Sequence, residues 1–152
     1  MPAPQASIAP SAISQSGECE CICINPERVL EIWPLARGLV KRAFESGIGD
    51  STFEETEHAI MSGLALLWLA WDGSAIIVAV TTELVKTPRH KICLVTSCGG
   101  TELASWVGFM RNIEAYASAE GCDVVRVMGR RGWKRALPEF HEPWIVLDKA
   151  LR

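Results

Sequence analysis

The feature that most constrains the fold of this chain is an apolar stretch over residues 61–80, which is broken by Asp72, Gly73 and Ser74. A transmembrane helix needs about 18 or more apolar residues in a row, and the break comes too early for one. An Asp-Gly pair between two apolar runs instead predicts a β-hairpin, with strands over residues 64–71 and 75–85. We therefore expect a sheet, and no membrane span.

Composition places the chain among ordinary globular proteins. It has 152 residues, of which 49% are apolar and 22% charged, and a net charge of -3. That length suits one domain with one core. The small acidic excess offers no positive field to a phosphate backbone, so we expect neither a nucleic acid as the main partner nor a membrane. The first residues lack the basic opening and apolar centre of a signal peptide, which predicts synthesis in the cytoplasm.

Residues 1–17 differ from the rest, because they form an uncharged arm rich in Ala, Pro and Ser ahead of a domain over residues 18–152. Such an arm buries too little apolar surface to offset the entropy lost on ordering. We expect contact with a neighbouring chain to hold it in place, within an oligomer.

Alternating patterns within the domain predict a mixed sheet covered by helices. The predicted strands cover residues 18–24, 64–71, 75–85, 91–96, 123–128 and 144–147. One short helix is predicted over residues 133–137, between the last two strands.

Longer helices fill the segments between these strands. Capping patterns start helices at Asn25-Pro26 and at Ser51, which has Glu54 three residues later. The clearest helix spans residues 103–120, because its apolar side chains recur at spacings of three and four. Pro34 is expected to kink or restart the first helix, since proline has no N–H to donate.

Cys19, Cys21 and Cys23 alternate along the first predicted strand. Alternate residues of a strand face the same way about 6.8 Å apart, which is too far for neighbouring thiolates to share one tetrahedral zinc ion. We interpret these cysteines as small apolar residues on a buried strand face, and we expect no metal site.

The order of elements from residue 18 onwards resembles the GNAT acetyltransferase fold. Four segments are similar to those of a group of uncharacterised phage and prophage proteins with a GNAT-like domain, namely residues 32–35 (IWPL), 67–73 (LWLAWDG), 98–100 (CGG) and 129–137 (GRRGWKRAL). The resemblance implies an α/β (α+β) fold, in which a mixed central sheet is flanked by helices and preceded by the extended arm. A fold does not establish an activity, so the site needs its own argument.

In the working enzymes of this family, the loop after the fourth strand holds the pyrophosphate of coenzyme A with main-chain N–H groups at a helix N-terminus. The resemblance carries this role to Gly99, Gly100 and Thr101. Yet the loop has no Arg, Lys or Gln, and Glu102 puts a negative charge in the first helical turn. Two interpretations stay open: a site for acetyl-CoA, and a glycine turn in a protein without a cofactor.

Acyl transfer to an amine needs a base for the amine proton, and enzymes of this family often use a tyrosine to protonate the leaving thiolate. Glu83, late on the third predicted strand, is the candidate base, and His90 in the following loop is a second choice. Tyr116, the only tyrosine of the chain, falls on the apolar stripe of the long helix instead of the donor position.

A tight basic turn, Gly129-Arg130-Arg131-Gly132, follows the fifth predicted strand. Paired guanidinium groups bind carboxylates and other anions. We expect Arg130 and Arg131 to contact a partner protein, with a solvated turn as the alternative.

Three functions are compatible with these features. The first is a non-catalytic, virion-associated structural or assembly protein of a phage, made in the host cytoplasm and bound to other virion proteins through the arm and surface turns. The second is an acetyl-CoA-dependent N-acetyltransferase with a divergent cofactor loop, active in the cytoplasm. The third is a small interaction module, such as an inhibitor of a host protein. The missing loop charge and the missing tyrosine donor favour the first.

Overall fold

The computed structural model describes residues 20–47, 49–100 and 106–152. The N-terminal arm and the candidate cofactor residue Thr101 lie outside these ranges. The described elements follow one another as β1 (Glu20–Cys23), a 3-10 turn (Pro26–Arg28), α1 (Val29–Ala43), α2 (Phe53–Met61), β2 (Ala65–Trp71), β3 (Ile76–Lys86), β4 (Lys91–Gly100), α3 (Trp106–Ala119), β5 (Val124–Val127) and α4 (Trp133–Ala136).

The five strands form one mixed sheet in the order β1-β2-β3-β4-β5. The first four pair antiparallel, whereas β4 and β5 run parallel and are joined through α3, as a parallel pair requires. The Asp72 carboxylate closes the hairpin between β2 and β3 by accepting the N–H groups of Ser74 and Ala75, both at 2.8 Å. The predicted hairpin is confirmed, and no described helix is long and apolar enough to span a membrane.

Each face of the sheet carries its own core cluster. On one face α1 and α2 cover Leu67, Leu69 and Ala79, and on the other α3 covers Trp68 and Val80. The alternation of side chains along each strand produces this division. Because helices bury both faces, β2 and the first half of β3, residues 76–80, are apolar throughout.

Two details of the helices differ from the prediction. Thr52 is the N-cap of α2 and accepts the Glu55 N–H at 3.2 Å, while the Glu55 carboxylate accepts the Thr52 N–H at 2.9 Å. The predicted pair of Ser51 and Glu54 is therefore wrong by one residue, because the same spacing occurs at both positions. The first helix also does not restart at Pro34, since α1 continues through it and gives up only the hydrogen bond of the missing N–H.

The predicted strand over residues 144–147 is wrong, because residues 137–152 contain no helix or strand. Trp144, Ile145, Val146 and Leu147 are 56%, 68%, 67% and 85% exposed. The Trp144 ring lies over the guanidinium of Arg126 on β5, with 5.9 Å between the ring centroid and Cζ. An apolar, β-branched run favours a strand only where a neighbouring strand pairs with it, and this segment meets β5 through a ring contact instead.

Candidate functional site

The site that the fold offers is an opening between β4 and β5. The parallel pairing of the two strands joins residues 92–95 to residues 124–127 and ends there. β4 continues to Gly100, where β3 is its only partner among the described strands. After Val127 the chain leaves the sheet and turns into α4. The edge of β4 beyond Val95 therefore has no strand neighbour on the β5 side within the described ranges.

A β-bulge in β4 marks the start of this opening. Thr81 of β3 faces Ser97, but the next pair is Thr82 with Val95, so Thr96 is an extra residue. Three side chains form a hydroxyl cluster here, since Thr81 Oγ1 lies 2.7 Å from Thr96 Oγ1 and 2.5 Å from Ser97 Oγ. Bulges are frequent next to active sites, where they redirect side chains.

Sequence reasoning missed the hydroxyl cluster, although two polar pairs, Thr81-Thr82 and Thr96-Ser97, interrupt apolar strands. Adjacent polar residues in a regular strand put one side chain on each face, and each then needs a hydrogen-bond partner. On the α3 face that partner is the indole N–H of Trp68, which donates to the Thr82 hydroxyl at 2.9 Å. Paired polar residues in two neighbouring strands were the available indication of a polar centre.

Glu83 lies two residues after Thr81 on the same face of β3, which is the face covered by α1 and α2. Its Cα partners are Ala65 on β2 and Leu94 on β4. Because β3 extends to Lys86, the carboxylate lies within the strand instead of at its end. Partial burial raises the pKa of Glu83 above its ordinary value, which makes it a better proton acceptor near neutral pH than an exposed carboxylate.

The second candidate base, His90, lies in the exposed turn between β3 and β4, where its N–H donates to the Thr87 hydroxyl at 3.0 Å. The ten residues of β4 separate this turn from Gly100, a length of about 33 Å. His90 is thus remote from the end of β4 at which a cofactor loop is expected.

Gly99 and Gly100 belong to β4, whereas the sequence predicted a loop from residue 97. Gly99 is buried against α1, where any Cβ atom would overlap the carbonyl oxygen of Leu39. A Cβ atom on Gly100 would lie 2.5 Å from the carbonyl oxygen of Ile77. The close approach of neighbouring backbone therefore requires glycine at both positions without any ligand. Of the two, only Gly100 is exposed at the opening.

The segment after β5 is strongly basic. Residues 128–135 contain four Arg or Lys and no acidic residue, in a chain with 15 basic residues in all and a net negative charge. Lys134 pairs with the Glu142 carboxylate at 2.8 Å. Neither Arg130 nor Arg131 forms a salt bridge with a described carboxylate, and both are exposed.

The main chain of this basic turn, residues 129–132, is held in one shape. The carbonyl oxygen of Arg130 accepts the Trp133 N–H at 3.0 Å. The Trp133 ring covers Gly129, where a Cβ atom would lie 2.6 Å from ring atom Cδ1. The same ring packs against the core on the α3 face. Two guanidinium groups therefore extend from an anchored turn.

Two other reactive side chains are poorly suited to catalysis. Tyr116 lies on α3 against Trp68, with ring centroids 5.6 Å apart, and burial together with the charge of Glu120 raises its pKa. Cys98 lies on β4 at the opening, but burial raises the pKa of its thiol. A thiol that stays protonated at neutral pH is a poor nucleophile.

Cys21 and Cys23 both pack against the core on the α3 face, as their alternation predicted, while Cys19 lies outside the described residues. Burial raises the pKa of Cys21 to about 11 and that of Cys23 to about 12, so both remain thiols. Within the described ranges, no group of three or more His, Cys, Asp or Glu side chains is arranged to hold a metal ion.

A separate cavity of about 210 Å³ lies between α3 and residues 136–140, with Arg111, Glu114 and Glu139 in its lining. Pockets for small organic ligands usually measure about 300–1,000 Å³. The opening between β4 and β5 is the better candidate, because it combines a break in strand pairing, a hydroxyl cluster and a carboxylate of raised pKa.

The sequence matches no protein-family model and no curated protein. Several solved structures share the fold. A probable acetyltransferase aligns over 88% of this chain and 97% of its own, with a TM-score of 0.65 and 12% identity. A GCN5-related N-acetyltransferase from Ralstonia eutropha JMP134 aligns over 88% of this chain and 98% of its own, with a TM-score of 0.60 and 12% identity. A predicted acetyltransferase from Clostridium acetobutylicum was crystallised with acetyl-CoA. It aligns over 86% of this chain and 96% of its own, with a TM-score of 0.60 and 10% identity.

These likenesses confirm the predicted fold, a GNAT-like mixed sheet flanked by helices. At such low identity they extend to the fold alone. They lend no support to a phage origin or to a place in a virion, which stay predictions based on the sequence resemblance.

Proposed function

We propose that this protein is an acyl-CoA-dependent N-acyltransferase, with the acyl donor in the opening between β4 and β5 and Glu83 as the general base. One observation carries the proposal: the bulge at Thr96, the end of the β4–β5 pairing at Val95 and a carboxylate of raised pKa lie within three residues of one another along the sheet register. The GNAT-like fold adds support, since one of the similar structures was crystallised with acetyl-CoA.

The residues at the opening fit such a donor. The edge of β4 from Thr96 to Gly100 carries N–H and C=O groups with no described strand on the β5 side, and an extended ligand with amide groups can pair with such an edge. Gly100 is exposed at the end of this strand, and Thr101 follows it in the chain. The hydroxyl cluster supplies polar groups at the inner end.

Bound acyl-CoA would supply the acyl group as a thioester. As the new C–N bond forms and the C–S bond breaks, the amine must lose a proton, and the Glu83 carboxylate accepts it. Tyr116 lies against Trp68 on α3, so we assign it no part in protonating the thiolate. The thiolate takes its proton from water.

A thiol-release assay tests the proposal. Wild-type protein, Glu83→Gln and the control Glu31→Gln, which alters an exposed carboxylate on α1, are mixed with acetyl-CoA and with polyamines, amino sugars or lysine peptides. We expect thiol release from the wild type and the control, and a rate about 10²–10⁴ lower from Glu83→Gln. Equal rates in all three proteins would rule out Glu83 as the base.

A further inference from the structure

The proposed function leaves one electrostatic question open, namely what balances the charge on the phosphates of an acyl-CoA donor. The segment that follows the bulge, residues 97–103, has no basic residue and contains Glu102. Main-chain N–H groups in this segment would have to bind the phosphates despite the repulsion between the phosphates and the Glu102 carboxylate. In working phosphate sites, Arg or Lys side chains often supply strong charge-assisted hydrogen bonds.

The topology brings another source of positive charge to the same edge of the sheet. β4 and β5 are parallel, so their C-terminal ends lie on the same side. β5 ends at Val127, opposite Val95, and the basic turn begins two residues later. Arg130 and Arg131 therefore lie in the turn that follows β5, three and four residues after the point where the opening starts.

The local structure of the turn suits a binding role. The Trp133 ring and the hydrogen bond from the main-chain N–H of Trp133 to the Arg130 carbonyl fix the main chain of the turn. Only the arginine side chains must therefore become ordered on binding. The Glu142 carboxylate pairs with Lys134 at 2.8 Å, and that contact, with a smaller contribution from the charge of Arg131, lowers the pKa of Glu142. Arg130 and Arg131 are exposed and form no salt bridge with any carboxylate that the structure describes.

We infer that Arg130 and Arg131 form a phosphate site for the nucleotide end of the acyl donor. The two arginines supply the positive charge that residues 97–103 lack. The inference rests on the proposed function and adds the group that the two arginines recognise. The shared chemistry is a phosphate oxygen, from either the pyrophosphate or the 3′-phosphate of coenzyme A. Each guanidinium can donate two parallel hydrogen bonds to such a group.

Calorimetric titration with three donors tests this site. Acetyl-CoA carries both kinds of phosphate, acetyl-dephospho-CoA lacks the 3′-phosphate, and S-acetylpantetheine has neither. Each is titrated into wild-type protein, the double variant Arg130→Gln/Arg131→Gln, and the control Lys86→Gln/Arg89→Gln. The control removes the same charge from exposed positions at the opposite end of β4. Equal thermal midpoints establish that all three proteins are folded.

We expect the double arginine variant to bind acetyl-CoA at least tenfold more weakly than wild type and control do, and to bind S-acetylpantetheine with unchanged affinity. If acetyl-dephospho-CoA loses affinity to the same extent, the arginines hold the pyrophosphate; if it loses none, they hold the 3′-phosphate. The difference between variant and wild type should also shrink at high salt.

Two results would overturn the site. Acetyl-CoA affinity equal in the variant and the wild type would mean that the turn contacts something else, such as acidic groups of a partner protein. An equal loss for acetyl-CoA and S-acetylpantetheine would mean that the turn supports the fold of the opening and does not recognise phosphate. If wild-type protein binds none of the three donors, the proposed function fails together with the site.

Discussion

Gly99 of β4 lies so close to α1 that any Cβ atom at this position would overlap the carbonyl oxygen of Leu39. This contact fixes the distance between the helix and the end of the strand that borders the opening. A glycine that looked in the sequence like part of a phosphate loop therefore has a structural role of its own.

We expect Gly99→Ala to lower the free energy of unfolding by about 3 kcal/mol, because the methyl group meets backbone that cannot rotate away. Gly38→Ala is the matched control, since Gly38 is exposed on α1 and has nothing near its Cβ position. That change should stabilise the protein by about 0.5–1 kcal/mol through helix propensity. Urea unfolding of both variants checks the pair, and equal stability would contradict the close contact.

Glu57 joins α1 to α2, because its carboxylate accepts the indole N–H of Trp33 at 2.8 Å and the Nε–H of Arg37 at 2.9 Å. The hydrogen bond from Trp33, together with the hydrogen bond and the positive charge of Arg37, holds the pKa of Glu57 below its usual value, against an opposing effect of burial. We expect Glu57→Gln to lower the free energy of unfolding at pH 7 by about 1 kcal/mol.

The pH dependence of this effect has a defined sign. A carboxyl with a lowered pKa stabilises the fold above its unfolded-state pKa of about 4.3, and the contribution is lost as the pH falls through the folded pKa. The difference between wild type and Glu57→Gln should therefore shrink below about pH 4. Glu31→Gln serves as control, since both side chains of the Arg28–Glu31 pair are about two-thirds exposed and such pairs contribute little. A constant difference down to pH 2 would be inconsistent with this assignment.

Much of the fold could be predicted from sequence, because its determinants are local. The Asp72-Gly73 turn, the apolar stripe of α3 and the stop at Gly121, which has a φ of 72°, each depend on a few neighbouring residues. The prediction of a strand over residues 144–147 failed for the opposite reason. The apolar residues of this segment favour a strand, but strand pairing depends on a partner that is distant in the chain.

The site was harder to predict than the fold. Glu83 could be proposed as a base from its place late on a strand, but the burial that raises its pKa depends on α1 and α2 packing over the sheet. The bulge at Thr96 depends on the register of β3 against β4, which no local pattern specifies. The role of Gly99 in contact with Leu39 likewise required the position of a helix 60 residues earlier in the chain.

The role of Glu83 as the general base leads to a prediction about the pH dependence of kcat/KM. In wild-type protein, kcat/KM for acetyl transfer should fall on the acid side of a pKa that lies above the ordinary value of Glu, because the protonated carboxyl of Glu83 cannot accept the amine proton. Glu83→Gln should have a lower rate and lack this acid limb, with an unchanged Kd for acetyl-CoA. An acid limb that survives in the variant would assign the titration to another group.

The exposed apolar segment at the C-terminal end predicts the first site of proteolysis. Chymotrypsin should cleave after Trp144 or Leu147 before it cleaves at Trp68 or Phe109, which are 2% and 0% exposed. Intact-mass spectrometry over a time course follows the cleavage. Early cuts at Trp68 or Phe109, with residues 144–151 still intact, would contradict the exposure described for this segment.

The most direct measurement is a titration of ¹⁵N-labelled protein with acetyl-CoA, followed by amide chemical shifts. We expect saturable shifts for residues 96–100 and for the basic turn, with a Kd on the order of micromolar, about -8 kcal/mol. Residues 87–90, at the far end of β4, should not shift. An unchanged spectrum at millimolar acetyl-CoA, or shifts confined to residues remote from the opening, would contradict the proposal that this fold binds an acyl donor between β4 and β5.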